Sequence, residues 1–533
     1  MDLIVAVAPI ALLIFLMTKK NSAPSHVALP LIAGLVYAIK LVYFEQNANL
    51  VNATVVNGLL TALTPILIIW GAIFLFKTME HSGAMRVVSD WLNGVSANPV
   101  AQLMIVGWAF SFMIEGASGF GTPAALAAPI LIGLGFPAVP VAVLALIMNT
   151  VPVSFGAVGT PTWFGMGQLG LSHAELLQVG FQTAVIHAVA ALVIPIIALL
   201  AVVPWRELRR NLVFVYLSIF ACVIPYVLLA RYSYEFPALL AGMIGFVASV
   251  VFAKKGIGLA SGATTRHGTA SASSGISIGQ LVKALFPIWA TVVLLLVTRI
   301  EGFRIQAFLT DATPALEVSL GAFGQFSTSW SLVLTLDSIF QADSTWVFQA
   351  LYVPAIVPFF VVSALAFAVY RVDRSVIVRV AAESYARMVN TMIALCGALV
   401  MVSLLMVGGE ASMVVLIGKG FAAFAGDHWQ FVASLLGALG TFFAGSATIS
   451  NLTFGAIQES IAAYVGLDRT LILSLQSVGA AMGNMVSINN IVAVCSILGI
   501  SNMEGAILKK TVPPLIVYAV IAGLAALVLS LVL

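Results

Sequence analysis

The hydrophobic pattern of this chain is a series of long apolar runs that recur from its first residues to its last. A run of about 20 apolar residues is the length that an α-helix needs to cross a lipid bilayer. No block of soluble character separates the runs. The pattern predicts spanning helices near residues 3–17, 27–44, 58–78, 176–203, 211–230, 234–253, 282–299, 348–370, 386–407 and 511–532.

Composition extends this prediction to the whole chain. Of the 533 residues, 61% are hydrophobic and 8% are charged, whereas ordinary soluble domains have about 45–50% apolar and 25% charged residues. We therefore expect an all-α polytopic membrane protein that crosses a membrane several times, with the lipid bilayer as its main partner. The three cysteines stand singly in apolar runs, so no disulfide, metal site or cofactor is expected. Nothing in the sequence supports nucleic-acid binding.

The distribution of charge predicts the orientation. Most Lys and Arg residues lie in alternate connections, which the positive-inside rule places in the cytoplasm. The segment 254–281, which is rich in Ser and Gly, is then a cytoplasmic linker, and the acidic segment 300–345 is an outer loop. Residues 1–26 are expected to hold the first spanning helix, because no basic region precedes the run 3–17 as it would in a secretory signal.

An internal repeat divides the chain. When the sequence is shifted on itself, the run 58–78 falls on 386–407, and 176–203 falls on 511–532. The predicted orientation makes the first of these runs point inward and its counterpart outward, so the two copies are inverted. Inverted repeats with interrupted helices indicate a secondary transporter, whereas a duplication retained only for packing is the alternative. The predicted organisation is inverted repeat 1 at 27–203, connecting helices within 204–347 and inverted repeat 2 at 348–533.

Each copy contains two places where a helix is expected to open. Gly and Pro cluster at 116–123 and 150–161, and Ser, Thr and Asn cluster at 445–453 and 483–490. An interior Gly costs a helix about 1 kcal/mol and an interior Pro about 3 kcal/mol. At bilayer depth, open backbone is tolerated where it is buried in protein or lines a polar cavity. The sequence predicts helical hairpins near 100–135 and 430–465 and discontinuous helices near 138–170 and 468–500.

Free N–H groups and small polar side chains at these openings can hold an anion. Close helix packing is the alternative role for the glycines, and hydrogen bonding between helices is the alternative for the Ser, Thr and Asn side chains. The candidate substrate-binding residues are Gly116, Ser118, Gly119, Gly121, Thr122, Thr150, Ser154, Gly156 and Thr160 in the first copy, and Ser446, Thr448, Ser450, Asn451, Asn484, Ser487, Asn489 and Asn490 in the second.

Glu115 is the candidate for proton coupling. It ends an apolar run immediately before the first hairpin tip, and an ionisable side chain inside the membrane is treated as functional by default. Burial favours the neutral carboxyl group, which suits this residue to carry a proton. The alternative is a carboxylate that orders the tip through neighbouring N–H groups. Glu459 and His187 are weaker candidates.

Three motifs carry a family resemblance. They are Glu115-Gly-Ala-Ser-Gly-Phe-Gly-Thr-Pro123, Gly133-Leu-Gly-Phe136 and Asn149-Thr-Val-Pro-Val-Ser-Phe-Gly156. On these residues the chain resembles the L-lactate permease family, and it is more distantly similar to the ion-transporter superfamily of dicarboxylate carriers. The resemblance implies proton-coupled uptake of L-lactate, glycolate or a related 2-hydroxymonocarboxylate across a cell inner (cytoplasmic) membrane, which the chain crosses several times. It also implies a rigid scaffold and a moving transport domain of the elevator type.

Two positions in the second copy depart from that pattern. Ala447 stands where the family resemblance leads us to expect an acidic residue, and Asn484 stands where it leads us to expect Lys. A sodium-coupled carrier of another organic acid is therefore the alternative function. A passive anion channel is less favoured, because no continuous polar stripe follows the spans. An enzyme is not expected, because no paired Asp, Ser/Lys dyad or His-rich metal site occurs at helical spacing.

Overall fold

The computed structural model describes residues 1–18, 23–119, 122–260, 275–299, 304–353, 356–500 and 503–532. Most of these residues are helical, which confirms the prediction of a polytopic helical membrane protein. Within the described part, nine helical segments are long and apolar enough to cross a membrane. Two further pairs of helices, each bent at a short break, raise this number to 11 when each pair is taken as one span.

The chain divides into two compact units. Residues 1–85 and 283–421 form the first unit, and residues 86–282 and 422–533 form the second. Each unit therefore combines one stretch from the first part of the chain with one from the second. The predicted repeats, in contrast, are continuous in sequence.

The first unit is mainly helical. Its longest helix, Arg374–Met406, has 33 residues and begins well before the predicted run 386–407. The first turns of this helix are rich in charged residues, so a prediction based on hydrophobicity does not include them. Its helices are Asp2–Thr18, Ser25–Val42, Ala48–Thr61, Leu63–His81, Phe286–Arg299, Ile305–Leu309, Ile356–Tyr370 and Arg374–Met406. Helices Ala84–Asn93, Ile278–Ala284 and Met413–Ala425 run across the unit boundaries in the sequence.

An ionic cluster ties two helices of the first unit together. The Lys77 ammonium lies 2.8 Å from a carboxylate oxygen of Glu80 and 3.1 Å from one of Glu383. His81 lies 2.9 Å from the same Glu383 oxygen. The charged start of helix Arg374–Met406 is therefore held against the end of Leu63–His81.

The predicted outer loop, together with the residues directly after it, forms a four-stranded antiparallel sheet, which differs from the expectation of a simple loop. The strands are β1 (Pro314–Ser319), β2 (Gln325–Ser329), β3 (Val333–Asp337) and β4 (Trp346–Gln349), in the spatial order of their sequence. Because β4 occupies residues 346–349, the next helix begins at Ile356 and not at the predicted residue 348.

The predicted cytoplasmic linker 254–281 is shorter than expected. Helix Pro237–Lys254 ends where the linker was predicted to start, but helix Ile278–Ala284 begins inside it. Ser277 and Gln280 form a reciprocal cap: the Gln280 N–H donates to Ser277 Oγ at 3.2 Å, and the Ser277 N–H donates to Gln280 Oε1 at 2.8 Å. Such a cap favours a helix start. Residues 261–274 lie outside the described part.

The second unit contains both predicted hairpins and both predicted breaks. Its helices are Pro99–Gln102, Leu103–Phe110 (a π-helix), Ser111–Ser118, Thr122–Gly133, Ala138–Met148, Gly156–Trp163, His173–Ala191, Ile194–Leu200, Trp205–Arg210, Leu212–Ala230, Pro237–Lys254, Ala433–Ala444, Ala447–Val465, Arg469–Met482, Ile488–Leu498 and Glu504–Val532.

Glycines let two helices of the second unit approach closely. A Cβ atom at Gly116 would collide with the backbone of Leu239, and one at Gly242 would collide with the backbone of Met113. Helix Ser111–Ser118 is thus packed tightly on Pro237–Lys254. Close packing of this kind is the usual role of small residues between membrane helices, and it accounts for Gly116 without a ligand.

Candidate functional site

Four interrupted elements of the second unit build the candidate site. Hairpin 1 consists of helices Ser111–Ser118 and Thr122–Gly133, and broken helix 1 consists of Ala138–Met148 followed by Gly156–Trp163. Hairpin 2 consists of Ala433–Ala444 and Ala447–Val465, and broken helix 2 consists of Arg469–Met482 and Ile488–Leu498. Broken helix 1 bends by 61° at its break.

The two hairpin tips and the two breaks meet at one cleft. Its empty space is about 300 Å³, which includes its open mouth. It draws on residues from both predicted copies, and six of the candidate residues lie in its wall. The lining residues are Glu115, Gly119, Val153, Gly156, Ala157, Pro161, Gly445, Ser446, Ala447, Thr448 and Asn484.

Glycines in left-handed backbone form both hairpin tips. Gly119 ends helix Ser111–Ser118 with φ of 60°, and Gly445 ends helix Ala433–Ala444 with φ of 71°. Side chains with a Cβ atom rarely adopt this conformation. The glycines of the Gly-rich and Gly-Ser sequences therefore end the first helix of each hairpin, and the second helix begins after them.

Broken helix 1 resumes through a left-handed turn. Ala157, Val158 and Gly159 have φ values of 43°, 55° and 74°, and such a conformation costs a non-glycine residue about 1–3 kcal/mol. Two hydrogen bonds hold the turn: Thr160 donates to the Ala157 carbonyl at 2.6 Å, and Trp163 Nε1 donates to the Val158 carbonyl at 3.1 Å. The candidate Thr160 thus stabilises the turn.

Glu115 is buried in the cleft wall. Its side chain is 2% exposed, and Asn149 Nδ2 donates to its Oε2 atom at 3.1 Å. Its other oxygen, Oε1, lies against Gly156, where a Cβ atom would collide with it. Glu115 is the one ionisable side chain among the described residues that line the cleft. The geometry therefore isolates a single carboxyl group in an otherwise neutral site.

The start of helix Ala447–Val465 is suited to an anion, in contrast to the part of the cleft wall that carries the Glu115 carboxyl group. Ser446 caps this helix through a hydrogen bond from the Ile449 N–H at 3.4 Å. The Thr448 hydroxyl is buried, with 1% exposure, and it has no hydrogen-bond partner among the described residues. A helix N-terminus attracts negative charge, and an unsatisfied buried hydroxyl adds a further donor.

Several candidate hydroxyl groups bond to backbone carbonyls within their own hairpin or broken helix. Ser118 donates to the Ile114 carbonyl at 2.9 Å, Thr150 to Ile147 at 2.8 Å and Ser450 to Gly437 at 2.7 Å. Ser487 caps broken helix 2 through the Asn490 N–H. These side chains do not line the cleft, and their contacts match the alternative role of polar bonding between or within helices.

Other candidate side chains form hydrogen bonds to the elements that build the cleft. Asn451 donates to the Pro161 carbonyl at 2.9 Å and so joins hairpin 2 to broken helix 1. Asn490 bonds to the cleft residue Asn484, and Asn489 donates to the Ala444 carbonyl at 3.4 Å. Thr122 is buried at the start of the second arm of hairpin 1. The candidate Gly121 lies outside the described residues.

A buried network also reaches broken helix 1. Ser154 bonds to His187 Nε2 at 2.9 Å, and His187 Nδ1 lies 2.5 Å from the Tyr518 hydroxyl. Ser477 donates to Ser154 at 3.0 Å. The weaker candidate His187 therefore fixes Ser154 beside the cleft. The other weak candidate, Glu459, is paired with Arg469, which also lies 3.0 Å from Glu175.

Sequence reasoning missed several members of the site. Asn149, the hydrogen-bond partner of Glu115, stands at the start of the third family motif but is not among the predicted site residues. The wall residues Val153, Ala157, Pro161 and Gly445 are not among the predicted binding residues either, because apolar and backbone contributions have no polar signature. Ala447 enters the prediction only as a departure from the family pattern. The signal that could have found Asn149 is an amide placed at the end of an apolar helix, directly before a predicted break.

A buried polar cleft where two hairpins and two interrupted helices meet, in a chain with many membrane spans, is typical of secondary transporters. The model of the family described as L-lactate permease matches residues 2–533. The chain therefore belongs to the L-lactate permease family, which confirms the resemblance seen in the sequence motifs.

Individual relatives match over nearly their whole length. A Haemophilus influenzae protein provisionally named an L-lactate permease is 50% identical over 529 residues, with 99% of this chain and 98% of the relative covered. The L-lactate permease of Escherichia coli K12 is 25% identical, with 98% and 94% covered. Glycolate permease GlcA of the same strain is 23% identical, with 94% and 90% covered. These relatives are permeases and not enzymes, as the sequence predicted for this chain.

Proposed function

We propose that this protein is a secondary active transporter that takes up L-lactate, glycolate or a related 2-hydroxymonocarboxylate together with protons across the cell inner membrane. The names of the relatives support the substrate class, since they include L-lactate permeases and a glycolate permease. The chemistry of the cleft supports a small anion as the solute.

The observation that carries the proposal is the unpartnered hydroxyl of Thr448 at the start of helix Ala447–Val465. In this proposal the substrate carboxylate accepts hydrogen bonds from that hydroxyl and from the first N–H groups of the helix. No Lys or Arg lines the cleft among the described residues. The helix dipole and the neutral hydrogen-bond donors then take the role that a Lys or Arg side chain would have, so the anion is bound without a permanent ion pair.

The substrate hydroxyl group distinguishes a 2-hydroxy acid from a simple carboxylate. A hydroxyl both donates and accepts hydrogen bonds, and the Glu115 carboxyl group lines the same cleft. We place the substrate hydroxyl toward Glu115 Oε1 and the substrate carboxylate toward Thr448. Recognition of both groups would make the cleft selective for 2-hydroxy acids.

Charge balance supports coupling to protons. A bound carboxylate and an ionised Glu115 would be two like charges in one small cleft, and their repulsion is strong where water is scarce. A proton on Glu115 removes that repulsion. Binding of the anion and binding of the proton would therefore favour each other, which is the requirement for symport.

The second compact unit holds the complete cleft. We therefore assign it the role of the moving transport domain, and the first unit the role of the scaffold. Two inverted repeats would account for the paired hairpins and paired breaks of the second unit.

Transport by purified protein in proteoliposomes tests the proposal. Uptake of radiolabelled L-lactate or glycolate should accumulate against its gradient when the outside is made acidic, and it should saturate and show counterflow as a carrier does. Uptake that follows an inward sodium gradient and ignores pH would favour the alternative, a sodium-coupled carrier of another organic acid. The neutral residues Ala447 and Asn484 in the cleft wall are the feature that keeps this alternative open. Non-saturable flux without counterflow would indicate a channel.

A further inference from the structure

The sheet of the first unit has one continuous apolar face. Val318 of β1 lies opposite Phe326 of β2, Phe326 opposite Leu336 of β3, and Leu336 opposite Trp346 of β4. Directly opposed residues point to the same side of a sheet. A second row on this side adds further apolar positions, namely Leu316, Leu334 and Phe348, with Thr328 between them.

The other face of the sheet is mainly polar. Glu317, Ser327 and Thr335 are paired across β1, β2 and β3. Ser319, Gln325 and Asp337 form the next row on the same side. Both acidic residues within the strands, Glu317 and Asp337, therefore lie on this face. The sheet is amphipathic as a whole.

Burial of the apolar face falls from one edge to the other. At β4, Trp346 is 7% and Phe348 is 4% exposed, whereas at β1, Leu316 is 55% and Val318 is 40% exposed. The face is thus covered at β4 and open at β1. Because the face is continuous, the open part is directed to the same side as the covered part.

The covered edge lies on a membrane helix. Asn57 donates to Ser344 Oγ at 3.1 Å and to the Thr345 carbonyl at 3.0 Å, directly before β4. Asn57 belongs to the segment Ala48–His81, whose 34 residues are long and apolar enough to span a membrane. This segment therefore contacts the chain directly before β4, the edge at which the apolar face is covered.

We propose that the open part of this face, on β1, lies on the lipid surface beside the helices of the first unit. Six residues join Gln349 of β4 to helix Ile356–Tyr370, and this connection spans at most about 25 Å. The sheet is thereby kept close to the bilayer. Exposed aromatic residues flank the strands, namely Phe308 in helix Ile305–Leu309, Phe323 before β2 and Trp330 after β2. Aromatic residues are of the type that collects at membrane interfaces.

Edge pairing with a second copy of the chain is disfavoured by the sequence of β1. Antiparallel pairing of two β1 strands around their centre would bring the two Glu317 side chains together on one face, and like charges in that arrangement are destabilising. Pro314 also lacks the N–H group that a ladder uses. A lipid surface avoids both problems, because the carboxylates point away from it.

Spin labels on neighbouring residues of β1 test this inference. Single cysteines would replace Leu316, Glu317, Val318 or Ser319 in full-length protein with Cys396→Ser, while the other two cysteines are buried. The labelled protein would be placed in nanodiscs of phosphatidylethanolamine and phosphatidylglycerol. Collision rates are then measured with oxygen, which concentrates in lipid, and with a water-soluble nickel chelate.

We expect the labels at Leu316 and Val318 to collide several-fold more with oxygen than with the chelate, and the matched labels at Glu317 and Ser319 to show the reverse.

Equal access of the chelate to all four positions would overturn the proposal, because the face would then lie in water. Labels at Leu316 and Val318 that neither reagent reaches would also overturn it. In that case disulfide-linked dimers of the Leu316→Cys variant would identify a second copy as the cover, and their absence would identify another part of the same chain. None of these outcomes depends on the proposed substrate.

Discussion

Asn149 donates a hydrogen bond to Glu115 Oε2 across 3.1 Å, and both side chains are buried. Asn149 Oδ1 is buried without a partner in the described part of the chain. An amide can donate to a carboxylate and, after rotation of its end, can accept from a carboxylic acid. Asn149 can therefore satisfy Glu115 in both protonation states, which is what a residue that gains and loses a proton needs from its neighbour.

Replacement of Glu115 by Gln is expected to uncouple transport from the pH gradient. Gln resembles the protonated carboxyl group in shape but cannot release a proton, so exchange of substrate between the two sides should persist. Accumulation driven by an inward proton gradient should be lost. The measurement is a pair of proteoliposome assays, counterflow and gradient-driven uptake. Unchanged accumulation would remove Glu115 from the coupling mechanism.

Replacement of Asn149 by Leu is expected to move the pH dependence of uptake upward. The variant removes a donor to the charged form of Glu115, so the proton should bind at a higher pH. A hydrogen bond to a charged group contributes about 1.5–3 kcal/mol and one to a neutral group about 0.5–1.5 kcal/mol, so the difference of about 1–1.5 kcal/mol corresponds to a shift of about one pH unit. The neighbouring Thr150→Val is the control, because the Thr150 hydroxyl bonds to Ile147 and not to the cleft. Coincident profiles for Asn149→Leu and the wild type would contradict the role of this amide.

Replacement of Thr448 by Val is expected to weaken substrate binding. The variant keeps the shape of the side chain and removes the buried hydroxyl, so KM for L-lactate should rise about tenfold to a hundredfold, as expected for loss of about 1.5–3 kcal/mol. Thr448→Ser restores the hydroxyl and should restore most of the affinity. If the Val and Ser variants share the KM of the wild type, the anion does not bind at this helix start.

Replacement of Gly156 by Ala is expected to displace the Glu115 carboxyl group. The added methyl group would collide with Glu115 Oε1, and the flexible end of that side chain can move while the backbone stays in place. Uptake should fall strongly while the thermal stability of the purified protein changes little. The control is Gly167→Ala, where an added Cβ atom meets nothing within 4 Å. Normal uptake by Gly156→Ala would argue against a fixed position of the Glu115 carboxyl group.

Replacement of Tyr518 by Phe is expected to lower stability. The variant loses the hydrogen bond to His187 Nδ1, and a buried bond of this kind contributes about 1 kcal/mol to the free energy of unfolding. A thermal unfolding midpoint measured in detergent should fall by about 1 °C, because the entropy of unfolding scales with chain length. Tyr216→Phe should have a smaller effect, because its 3.3 Å bond to the Leu192 carbonyl is exposed.

Much of this architecture could be predicted from local sequence. Gly119 and Gly445 mark the hairpin tips because a left-handed backbone needs glycine, and the Pro residues near Gly156 mark a break because they cannot continue a helix. The orientation of side chains within a helix could not be predicted in the same way. Thr448 lines the cleft, whereas Ser450, two positions later, turns to the Gly437 carbonyl. That difference depends on which neighbouring helix each side chain meets.

The sheet escaped prediction for a different reason. Its strands are only four to six residues long, and alternation over so few positions is a weak signal beside apolar runs of 20 residues. The register that places Val318 opposite Phe326 depends on turns whose conformations are not evident in the sequence. The acidic residues of the segment predict a stretch between spans, but they carry no information on its folded state.

The assembly of the second unit from two distant stretches has a consequence for biosynthesis. The bond from Asn451 to the Pro161 carbonyl joins residues 290 positions apart. At synthesis rates of about 5–20 residues per second, this interval is on the order of 15–60 s. During that time hairpin 1, with its buried carboxyl group, has entered the bilayer without the wall that completes it. A nascent chain that stalls before residue 433 would therefore lack the part of the cleft wall that Gly445, Ser446 and Thr448 supply.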